Sequence, residues 1–526
     1  MKTNLTTLLL LTLTSGAFAQ GLLTPPPTGG NATGVAGPLG PSGEPMPTMK
    51  TLHQMEPRHD LLNGPWGVPM FVDISDPAAH YIINKPGSYY LSDDLAVIKG
   101  AGIIIAVDNV TLDMRGFTLQ RDTGASAATT GIRLASGVTG VKIFNGTFAG
   151  LDHGISTTAL NPGDVRVDLE SLRFNSCTGT AVSIQSTAMP AANKTLVHLR
   201  QCQAEGCGSG TPGTAVIQLE ATVLLESCTI MDSTAATNGI FVGAGSRLRD
   251  CSVVRSSGAG AAIALNASSS VEGCTVRNWT GASGIQGTDP VISRSTVRAL
   301  VVSAWSADSA AFSLSGGSIE NSTAEACECA WGFRLEGAAA RDCTAQGISP
   351  LAGATSGWGG FSLSSGASAT GCISNGHASA SVQDVSENAR GSGFHVEGDA
   401  TTPSGCRVQD CHALGLAGSG IFSKGRGTLM QGNVISGCRV GIALGDGGHQ
   451  IVRENQITDS ETAVHLRCAF NIIVKNMLRA SSVRVWDSTH QNHIGKVEQP
   501  TTTGFMLGSA VGQGFAAADP WANIID

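Results

Sequence analysis

The sequence has few charged and few aromatic residues for its length. Charged side chains make up 14% of the 526 residues and aromatic ones 5%, and 40 acids against 32 bases give a formal net charge of −8. Nucleic-acid binding requires clustered Lys and Arg, so this composition argues against a nucleic-acid partner. The 68 glycines argue against an ordinary helical or α/β domain, whereas a hydrophobic content of 41% is sufficient for a packed core.

Long hydrophobic runs are scarce as well, and the one near the N-terminus is short. It extends from Leu8 to Leu13, follows Lys2 and precedes the small residues from Ser15 to Ala19, an order typical of a secretory signal peptide. A membrane span needs about 20 apolar residues, so a membrane anchor is the less favoured alternative. We therefore predict a signal peptide over residues 1–19, no membrane span, and a secreted protein that is extracellular or periplasmic.

The composition changes after the predicted signal peptide. Residues 20–47 are rich in Pro, Gly, Thr and Ser and have few apolar side chains to offset the entropy of ordering, which predicts a linker. After the linker we expect an N-terminal segment and cap over residues 48–100, a repeat region over 101–498 and a C-terminal tail over 499–526.

The repeat region contains one six-residue pattern many times. The pattern reads apolar, polar, polar, then Cys, Ser or Asn, then polar, apolar, and its fourth positions are mostly 21 to 29 residues apart, with one interval of 39. A fixed period of this length indicates a solenoid built of stacked coils. The fourth positions are Cys202, Cys228, Cys251, Cys274, Ser295, Ser322, Cys343, Cys372, Cys411, Asn433, Asn455 and Asn476.

A second pattern, Gly followed by apolar, any and apolar residues, precedes the first by about ten residues. Its alternation predicts a strand, and its Gly predicts a bend. Because no coil buries its own inner face, coils stacked at about 4.8 Å build a continuous core. An α-solenoid is excluded, since each Gly in a helix costs about 1 kcal/mol. We therefore predict an all-β fold, a right-handed parallel β-helix that forms a single-stranded solenoid with about three short strands per coil.

Charges two places before the Cys, Ser or Asn column alternate in sign from coil to coil. Opposite charges in register attract and like charges repel, so this alternation supports the coil register. We interpret these charges as structural, with each exposed pair contributing a few tenths of a kcal/mol. The positions are Glu170, Arg200, Glu226, Arg249, Glu272, Ser293, Glu320 and Arg341.

The 14 cysteines are predicted to be buried free thiols. Their column positions point inward, and Ser and Asn replace Cys in the same column, which is typical of a small buried residue. Two alternatives stay open. One or two disulfides could form, with Cys177 and Cys207 the best-placed pair, although parallel Cβ vectors orient the sulfurs poorly. A metal site is the least favoured alternative because no CxxC pair occurs, and none is predicted.

Four segments carry a family resemblance: residues 47–58 (PTMKTLHQMEPR), 82–91 (IINKPGSYYL), 108–119 (DNVTLDMRGFTL) and 519–523 (DPWAN). Together they resemble exported bacterial right-handed parallel β-helix repeat proteins over nearly the whole mature chain. The resemblance implies a pectate-lyase-like superfold and a signal peptide, with no established reaction. It also implies that the strand at Tyr89-Tyr90 caps the open N-terminal end of the solenoid. A fold by itself does not determine an activity.

The motifs of polygalacturonase-type β-helix enzymes are missing from the sequence. Asp152-His153-Gly154 is nearest to their Gly-His-Gly motif but lacks partner acids, and Asp93-Asp94 precedes the first coil, where a solvated turn is the better interpretation. Catalytic residues are therefore left unassigned. No cofactor is predicted, except that a lyase of this fold would use Ca²⁺.

Titratable side chains gather on the outer face of the Gly-containing strands in the C-terminal half. This face has two interpretations, a groove that binds acidic glycan or a solvated face with an ion pair between Glu397 and Lys424. Outward rings are few there, Phe241 and Phe422, which weakens the case for sugar stacking. The candidate glycan-binding residues are Arg334, Glu336, His395, Glu397, Lys424, His465 and Arg467.

Three functions follow from these observations. The leading prediction is a secreted β-helix protein that binds extracellular or cell-surface polysaccharide along one sheet face. The first alternative is a polysaccharide lyase or glycoside hydrolase that acts on acidic glycans, which requires a cleft with converging catalytic groups. The second alternative is a purely structural envelope or adhesion module, which predicts a flat sheet face.

Overall fold

A computed structural model describes most of the chain from residue 58 onward. The predicted signal peptide over residues 1–19 and the predicted linker over 20–47 lie outside the described residues. The described residues are 58–62, 78–125, 128–157, 166–185, 196–208, 215–351, 357–377, 390–398, 401, 403–445, 447–479, 483–487, 491–495, 497–500, 506–508 and 522–525.

Short parallel strands stack into three sheets along the solenoid. Sheet one contains Ala79–Ile83, Ala101–Ile105, Thr130–Leu134, His153–Thr157, Val182–Ile184, Ile217–Leu219, Ile240–Val242, Ala261–Leu265, Ser283–Thr288, Ala310–Ser315, Trp331–Glu336, Trp358–Ser364, Arg390–Val396, Ser419–Ser423, Val440–Leu444, Thr462–Leu466 and Val483–Asp487. Sheet two contains Arg58–Asp60, Gly87–Tyr90, Val110–Asp113, Leu196–Arg200, Thr222–Glu226, Arg247–Arg249, Ser270–Glu272, Val291–Ser293, Ser318–Glu320, Ala339–Arg341, Ser368–Thr370, Arg407–Gln409, Leu429–Gln431, Ile451–Arg453, Ile472–Val474 and His493–Ile494.

Sheet three follows sheet two around a tight corner in each coil. Two long strands, Val141–Ala149 and Arg166–Asn175, pass around this corner and belong to both sheets. Near the C-terminus Val497–Pro500 pairs antiparallel with Met506–Gly508. The other strands of sheet three are Leu95–Val97, Thr118–Arg121, Gln203–Glu205, Thr229–Met231, Ser252–Ser257, Thr275–Thr280, Thr296–Arg298, Thr323–Glu325, Thr344–Gln346, Ile373–Asn375, His412–Leu414, Val434–Ser436, Gln456–Thr458, Met477–Arg479 and Asn523–Ile525. No helix among the described residues is long and apolar enough to cross a membrane.

The predicted coil register is observed. In sheet two, Leu199 is aligned with Leu225 and Leu225 with Leu248. At the following corner the Ser252 N–H donates to the Cys228 carbonyl at 2.8 Å, and the next coil repeats this bond. The small residues of the predicted column therefore stack one above another, and the alternating charges beside them are aligned as predicted.

Phenylalanine rings stack inside the solenoid beneath sheet one. The rings of Phe312, Phe333, Phe361 and Phe394 are nearly parallel, with centroids 4.7 to 4.9 Å apart. Each such pair contributes about 0.5–1.5 kcal/mol beyond burial of its area. The Gly of the second pattern is needed for close packing here, because a Cβ on Gly332 would lie 2.8 Å from the Gly360 carbonyl oxygen.

Buried polar residues in the corner column satisfy one another. The side-chain amide of Asn433 donates to the side-chain oxygen of Asn455 at 2.8 Å, Asn455 donates to Asn476 at 2.9 Å, and Asn476 donates to Asn523 at 3.1 Å. The same oxygens accept backbone N–H groups of the coil below. The Asn side chains of the column therefore stack and satisfy one another and the corner backbone by hydrogen bonds.

All 14 cysteines are buried, and none is joined to another in a disulfide. Cys228 donates through its thiol to the Leu199 carbonyl at 3.6 Å, and Cys207 donates to the Phe174 carbonyl at 3.3 Å. The thiols thus serve as small core residues that also contact corner carbonyls.

The strands extend beyond both predicted limits of the repeat region. Gly87–Tyr90, expected as a cap, lies within sheet two between Arg58–Asp60 and Val110–Asp113. At the other end Asn523–Ile525 pairs with Met477–Arg479 in sheet three. Part of the segment expected as a tail is therefore a strand, because its Asn523 continues the ladder.

Candidate functional site

The sheet-one face is the surface formed by the seven predicted glycan-binding residues. The structure places its members on one outer face in the predicted order, with Glu336 beside Ser364 on the next coil. One column of this face runs through Arg334, Ser362, His395, Phe422, Ala443 and His465.

Several side chains of the sheet-one face are already engaged within the protein. An Arg334 guanidinium nitrogen lies 3.0 Å from a carboxylate oxygen of Asp308. Glu397 accepts a hydrogen bond from the Ser362 hydroxyl at 2.9 Å. The Lys424 ammonium lies 5.7 Å from the ring centroid of Phe422.

An apolar cluster covers the middle of the sheet-one face. The Trp331 side chain is 2% exposed, and its indole N–H donates to the Ala307 carbonyl at 2.9 Å. The Phe422 ring, counted as an outward ring in the sequence, is also only 2% exposed. It therefore offers little surface on which a sugar could stack. The cluster contains Ala310, Ala330, Trp331, Phe422, Val440 and Ala443, with Trp305 packed against it.

The ring of His395 packs against two members of this cluster. Its ring centroid is 5.2 Å from Trp331 and 5.4 Å from Phe422. Both ring nitrogens are buried without a hydrogen-bond partner. Burial, and secondarily the charge of Lys424, lowers the pKa of His395 to about 3. At neutral pH this side chain is therefore uncharged and does not attract an acidic sugar.

A charged concave pocket lies on the outer face of sheet two instead, near the N-terminal end of the solenoid. Its volume is about 360 Å³. We call it the His198 pocket, and its lining residues are Lys142, Arg166, Asp168, Leu169, Glu170, His198 and Arg200.

Three successive coils supply the His198 pocket. Alternation along each strand buries Val167 and Leu169 and turns their neighbours outward. The in-register pairing of the three strands then aligns Lys142, Asp168 and His198 in one column. Phe144, Glu170 and Arg200 form the next column.

Ion pairs connect the side chains of the His198 pocket. The Asp168 carboxylate lies 3.1 Å from the Arg166 Nε and 3.7 Å from the His198 Nδ1. On its other side, the His198 Nε2 lies 3.3 Å from Glu226 on the next coil. The imidazole is therefore held between two carboxylates.

Glu170 has a cation on each neighbouring coil. Its carboxylate lies 3.1 Å from the Lys142 Nζ and 3.8 Å from the Arg200 Nε. The hydrogen bond from Lys142 holds the pKa of Glu170 below its usual range, and the nearby charges of Arg200 and His198 act in the same direction. Glu170 is therefore ionised at neutral pH.

The His198 pocket was not predicted from the sequence. Glu170 and Arg200 were interpreted as structural charges only, and Lys142, Asp168 and His198 were not among the candidate residues. A signal was present, because the alternation in residues 166–170 (RVDLE) and 196–200 (LVHLR) turns charged side chains outward on adjacent coils. Whether a pocket forms between these side chains depends on the shape of the folded surface, which the alternation does not predict.

Asp152 and His153, in the segment that most resembles a catalytic motif, form hydrogen bonds within the protein. Asp152 accepts hydrogen bonds from the Arg121 guanidinium at 2.8 Å and from the Thr178 hydroxyl at 2.8 Å. The His153 Nδ1 lies 2.7 Å from the Thr180 hydroxyl. Within the described ranges, no group of three or more His, Cys, Asp and Glu side chains is arranged to hold a metal ion.

Comparison with known proteins bears on the fold. Residues 336–495 match the family model described as right handed beta helix region. No curated protein matches the sequence significantly. The family match and the three parallel sheets confirm the predicted class: the chain is a right-handed parallel β-helix protein. The resemblance to right-handed β-helix repeat proteins is likewise confirmed over the matched residues, and the expected lack of a defined reaction is consistent with this match.

Two solved structures are similar to this chain at low sequence identity. The A-module of the mannuronan C-5 epimerase AlgE4 from Azotobacter vinelandii is 12% identical, with 69% of this chain and 90% of that chain covered and a TM-score of 0.25. The tailspike protein of Escherichia coli bacteriophage HK620 is 11% identical, with 73% and 71% covered and a TM-score of 0.29. At such values the similarities carry no inference about the site or activity of this chain.

Proposed function

We propose that this protein binds polysaccharide at the His198 pocket on the outer face of sheet two, as a secreted β-helix protein. The observation that carries the proposal is the pocket itself, a concavity of about 360 Å³ lined almost entirely by charged side chains from three successive coils. Ligand sites are typically concave, with a few convergent polar groups.

The chemistry of the His198 pocket suits sugar hydroxyl groups. A hydroxyl both donates and accepts hydrogen bonds, carboxylates accept them, and ammonium and guanidinium groups donate them. The pocket offers both kinds in alternation, with acceptors on Asp168 and Glu170 and donors on Lys142 and Arg200. Their mutual ion pairs hold these groups in place before a ligand arrives, which lowers the entropic cost of binding.

The sheet-one face is a weaker candidate for this role. Its central ring, Phe422, is buried, and His395 is uncharged at neutral pH. Arg334 is paired with Asp308. The side chains of the His198 pocket are also paired, but they line an open concavity.

Binding measurements on matched variants test the proposal. The full chain is run in affinity gels that contain neutral or uronic-acid polysaccharides, and dissociation constants are compared between variants. We expect His198→Ala and Asp168→Asn to weaken binding about tenfold or more, which corresponds to about 1.4 kcal/mol. The control is Arg341→Ala, an exposed Arg on the outer face of sheet two in coils far from the pocket.

The result that would overturn the proposal is equal binding by the wild type and the pocket variants. His465→Ala and Glu336→Ala test the face predicted from sequence in the same gels. Loss of binding in these two variants alone would move the site to sheet one. Absence of retention on every polymer would favour the purely structural alternative.

Catalysis on glycans is the second candidate, and one observation favours it. His198 lies between the carboxylates of Asp168 and Glu226, an arrangement in which an imidazole is oriented for proton transfer. The test is prolonged incubation with each retained polymer, followed by assays for new reducing ends and for unsaturated products. Products formed by the wild type and not by His198→Ala would establish an enzyme, whereas retention without products would limit the function to binding.

A further inference from the structure

A second cavity lies next to the His198 pocket, at the corner between sheets two and three. Its volume is about 510 Å³, and we call it the Arg115 cavity. Phe144 separates the two concavities, because it is aligned between Asp113, which lines the Arg115 cavity, and Glu170, which lines the His198 pocket. The polar side chains that line the cavity are Asp113, Arg115, Asn145, Thr147, Ser171 and Arg173.

One wall of the Arg115 cavity is formed because one corner is longer than its neighbours. Asp113 is aligned with Phe144, and Thr118 with Thr147. The corner between these positions therefore contains four residues in one coil and two residues in the next. The two additional residues bring Arg115 and Gly116 to the side of the cavity. Arg115 occupies the left-handed region of backbone conformation, with φ of 49°.

The Arg115 side chain is positioned by an aromatic ring. Its guanidinium carbon lies 3.7 Å from the ring centroid of Tyr90, one coil below. A cation over a ring face at this distance is held by the quadrupole of the ring while its N–H groups stay available to a ligand. The guanidinium is thus oriented without being neutralised.

The cations of the His198 pocket form salt bridges, whereas those of the Arg115 cavity do not form them with described residues. Arg115 and Arg173 are exposed, and neither forms a salt bridge with a residue in the described ranges. The acid in the cavity, Asp113, is 3.7 Å from Arg58 and accepts a hydrogen bond from the Arg115 backbone N–H at 2.9 Å. The cavity therefore presents two guanidinium groups with unused charge.

From this arrangement we infer that the ligand is an acidic polysaccharide whose carboxylate or sulfate groups bind Arg115 and Arg173, while adjoining sugar units occupy the His198 pocket. The inference rests on the proposed function. Guanidinium groups bind planar carboxylates and sulfate-type oxyanions through paired N–H donors. Phe144 between the two concavities, partly exposed, supplies a ring on which a sugar can stack.

The spacing of the two guanidinium groups favours a polymer over a single sugar. Arg173 is aligned with Thr147 and Thr147 with Thr118, so Arg115 and Arg173 belong to coils two apart. Two strand spacings amount to about 10 Å along the solenoid axis. A chain of several units can reach both groups, and simultaneous contact at two sites raises its affinity.

The experiment compares each acidic polymer with its neutral derivative. A uronate polymer is measured against the same polymer with its carboxyl groups reduced to alcohols, and a sulfated polymer against its desulfated form. We expect the wild type to bind at least one acidic polymer about tenfold or more tightly than the matching neutral form, with affinity falling as salt rises. The acidic polymer that shows this difference identifies which anion is recognised.

The variant Arg115→Ala/Arg173→Ala tests the assignment. It is expected to bind the acidic polymer and its neutral derivative with equal affinity. The matched control Arg277→Ala/Arg341→Ala removes the same charge from exposed positions of sheets three and two and is expected to keep the preference. Far-ultraviolet circular dichroism checks that both variants fold.

The outcomes separate the two proposals. If the neutral and acidic forms bind wild type equally, and His198→Ala still weakens binding, then the polysaccharide function stands and the acidic ligand is overturned. If the control double variant loses the preference as fully as the Arg115→Ala/Arg173→Ala variant, the recognition is a net-charge effect and the cavity is not the site. If no polymer is retained, both proposals fail.

Discussion

The Nε2 atom of His198 lies 3.3 Å from a carboxylate oxygen of Glu226, which belongs to the next coil of the solenoid. The contact exists because an in-register parallel ladder places side chains of successive coils one above another, about 4.8 Å apart. Both side chains retain solvent exposure, 20% and 29%. The pair is thus available to a ligand and adds little to stability.

Removal of this imidazole should weaken binding more than it destabilises the fold. Exposed ion pairs contribute about 0–1 kcal/mol, so His198→Ala is expected to change the free energy of unfolding by less than about 1 kcal/mol. The same variant should weaken polysaccharide binding about tenfold. Urea unfolding and affinity gels measure the two quantities. A loss of stability as large as the loss of binding energy would make His198 a structural residue.

The salt bridge between Lys142 and Glu170 predicts a pH dependence at the acid end. Because Lys142 lowers the pKa of Glu170 in the folded protein, the contribution of this pair is present above the ordinary Glu pKa near 4.5 and is lost as pH falls through the folded-state value. Lys142→Met should therefore reduce stability above pH 4.5, with a difference from wild type that disappears at lower pH. Urea unfolding between pH 3 and pH 6 checks this, and a difference that grows on acidification would contradict it.

His395 predicts a second pH dependence over a different range. Its pKa is about 3 in the folded protein, whereas the unfolded chain titrates near 6.5. Between these values the unfolded state binds a proton that the folded state does not, so stability falls as pH decreases from about 6.5 towards 3, by up to about 1.4 kcal/mol per pH unit. His395→Phe keeps a ring between Trp331 and Phe422 and should reduce this slope.

The slope should not vanish in His395→Phe. Burial also lowers the pKa of His377 to about 3, so a second histidine contributes over the same range. The double replacement His377→Phe/His395→Phe is expected to flatten the profile further. Identical slopes in the wild type and His395→Phe would show that the ring nitrogens of His395 have access to water.

The Asn ladder predicts a large effect of one small substitution. Asn455→Ala removes the acceptor of both the backbone N–H and the side-chain amide of Asn433, each of which would be left buried. An unsatisfied buried polar group costs about 1–3 kcal/mol, so for two such groups we expect a total loss of about 2–6 kcal/mol. Asn455→Ser should cost less, since Ser occupies this column in other coils. The control, Asn175→Ala, changes an exposed Asn on a strand and should cost less than about 0.5 kcal/mol.

All 14 thiols are buried, so they are expected to be inaccessible to reagents until the protein unfolds. Burial raises the pKa of Cys438 to about 11, so roughly a thousandth of this thiol is ionised at pH 8, and the thiolate is the reactive form. Maleimide labelling followed by mass spectrometry should show slow modification of the native protein. A cysteine introduced at exposed Asn175 should react rapidly in comparison.

Labelling after unfolding without a reductant tests the disulfide alternative. None of the 14 cysteines forms a disulfide in the structure, so 14 labels are expected on the wild-type chain. Twelve labels, with Cys177 and Cys207 unmodified, would show instead that this pair is oxidised in the mature protein.

Much of the fold was predictable from the positions of a few residue types. The Cys, Ser and Asn column, the alternating charges from Glu170 onward and the Gly patterns all have the period that the coils have. The predicted purpose of the Gly was incomplete, since at Gly332 the neighbouring carbonyl of Gly360 leaves no room for a Cβ. Such a close approach between two coils cannot be predicted from the pattern of one coil.

The candidate site was predictable only in part. The outward direction of His395 and His465 was correct, but the burial of the ring nitrogens of His395 was not foreseen. It arises because Trp331, two coils below, approaches His395 across the small residues Gly359 and Ser362 of the intervening coil. A contact of this kind depends on the size of side chains about 30 and 60 residues apart.

The sequence by itself determined the solenoid, its register and the inward or outward direction of most strand residues, because these follow from side-chain polarity repeated at the length of one coil. Only the tertiary structure decided that the outer face of sheet two carries the His198 pocket and the Arg115 cavity. The long corner at Arg115 forms one wall of a cavity, while Trp331 and Phe422 cover the middle of the sheet-one face. Surface shape depends on how unequal corners and large side chains of different coils meet, and this information is absent from any single repeat.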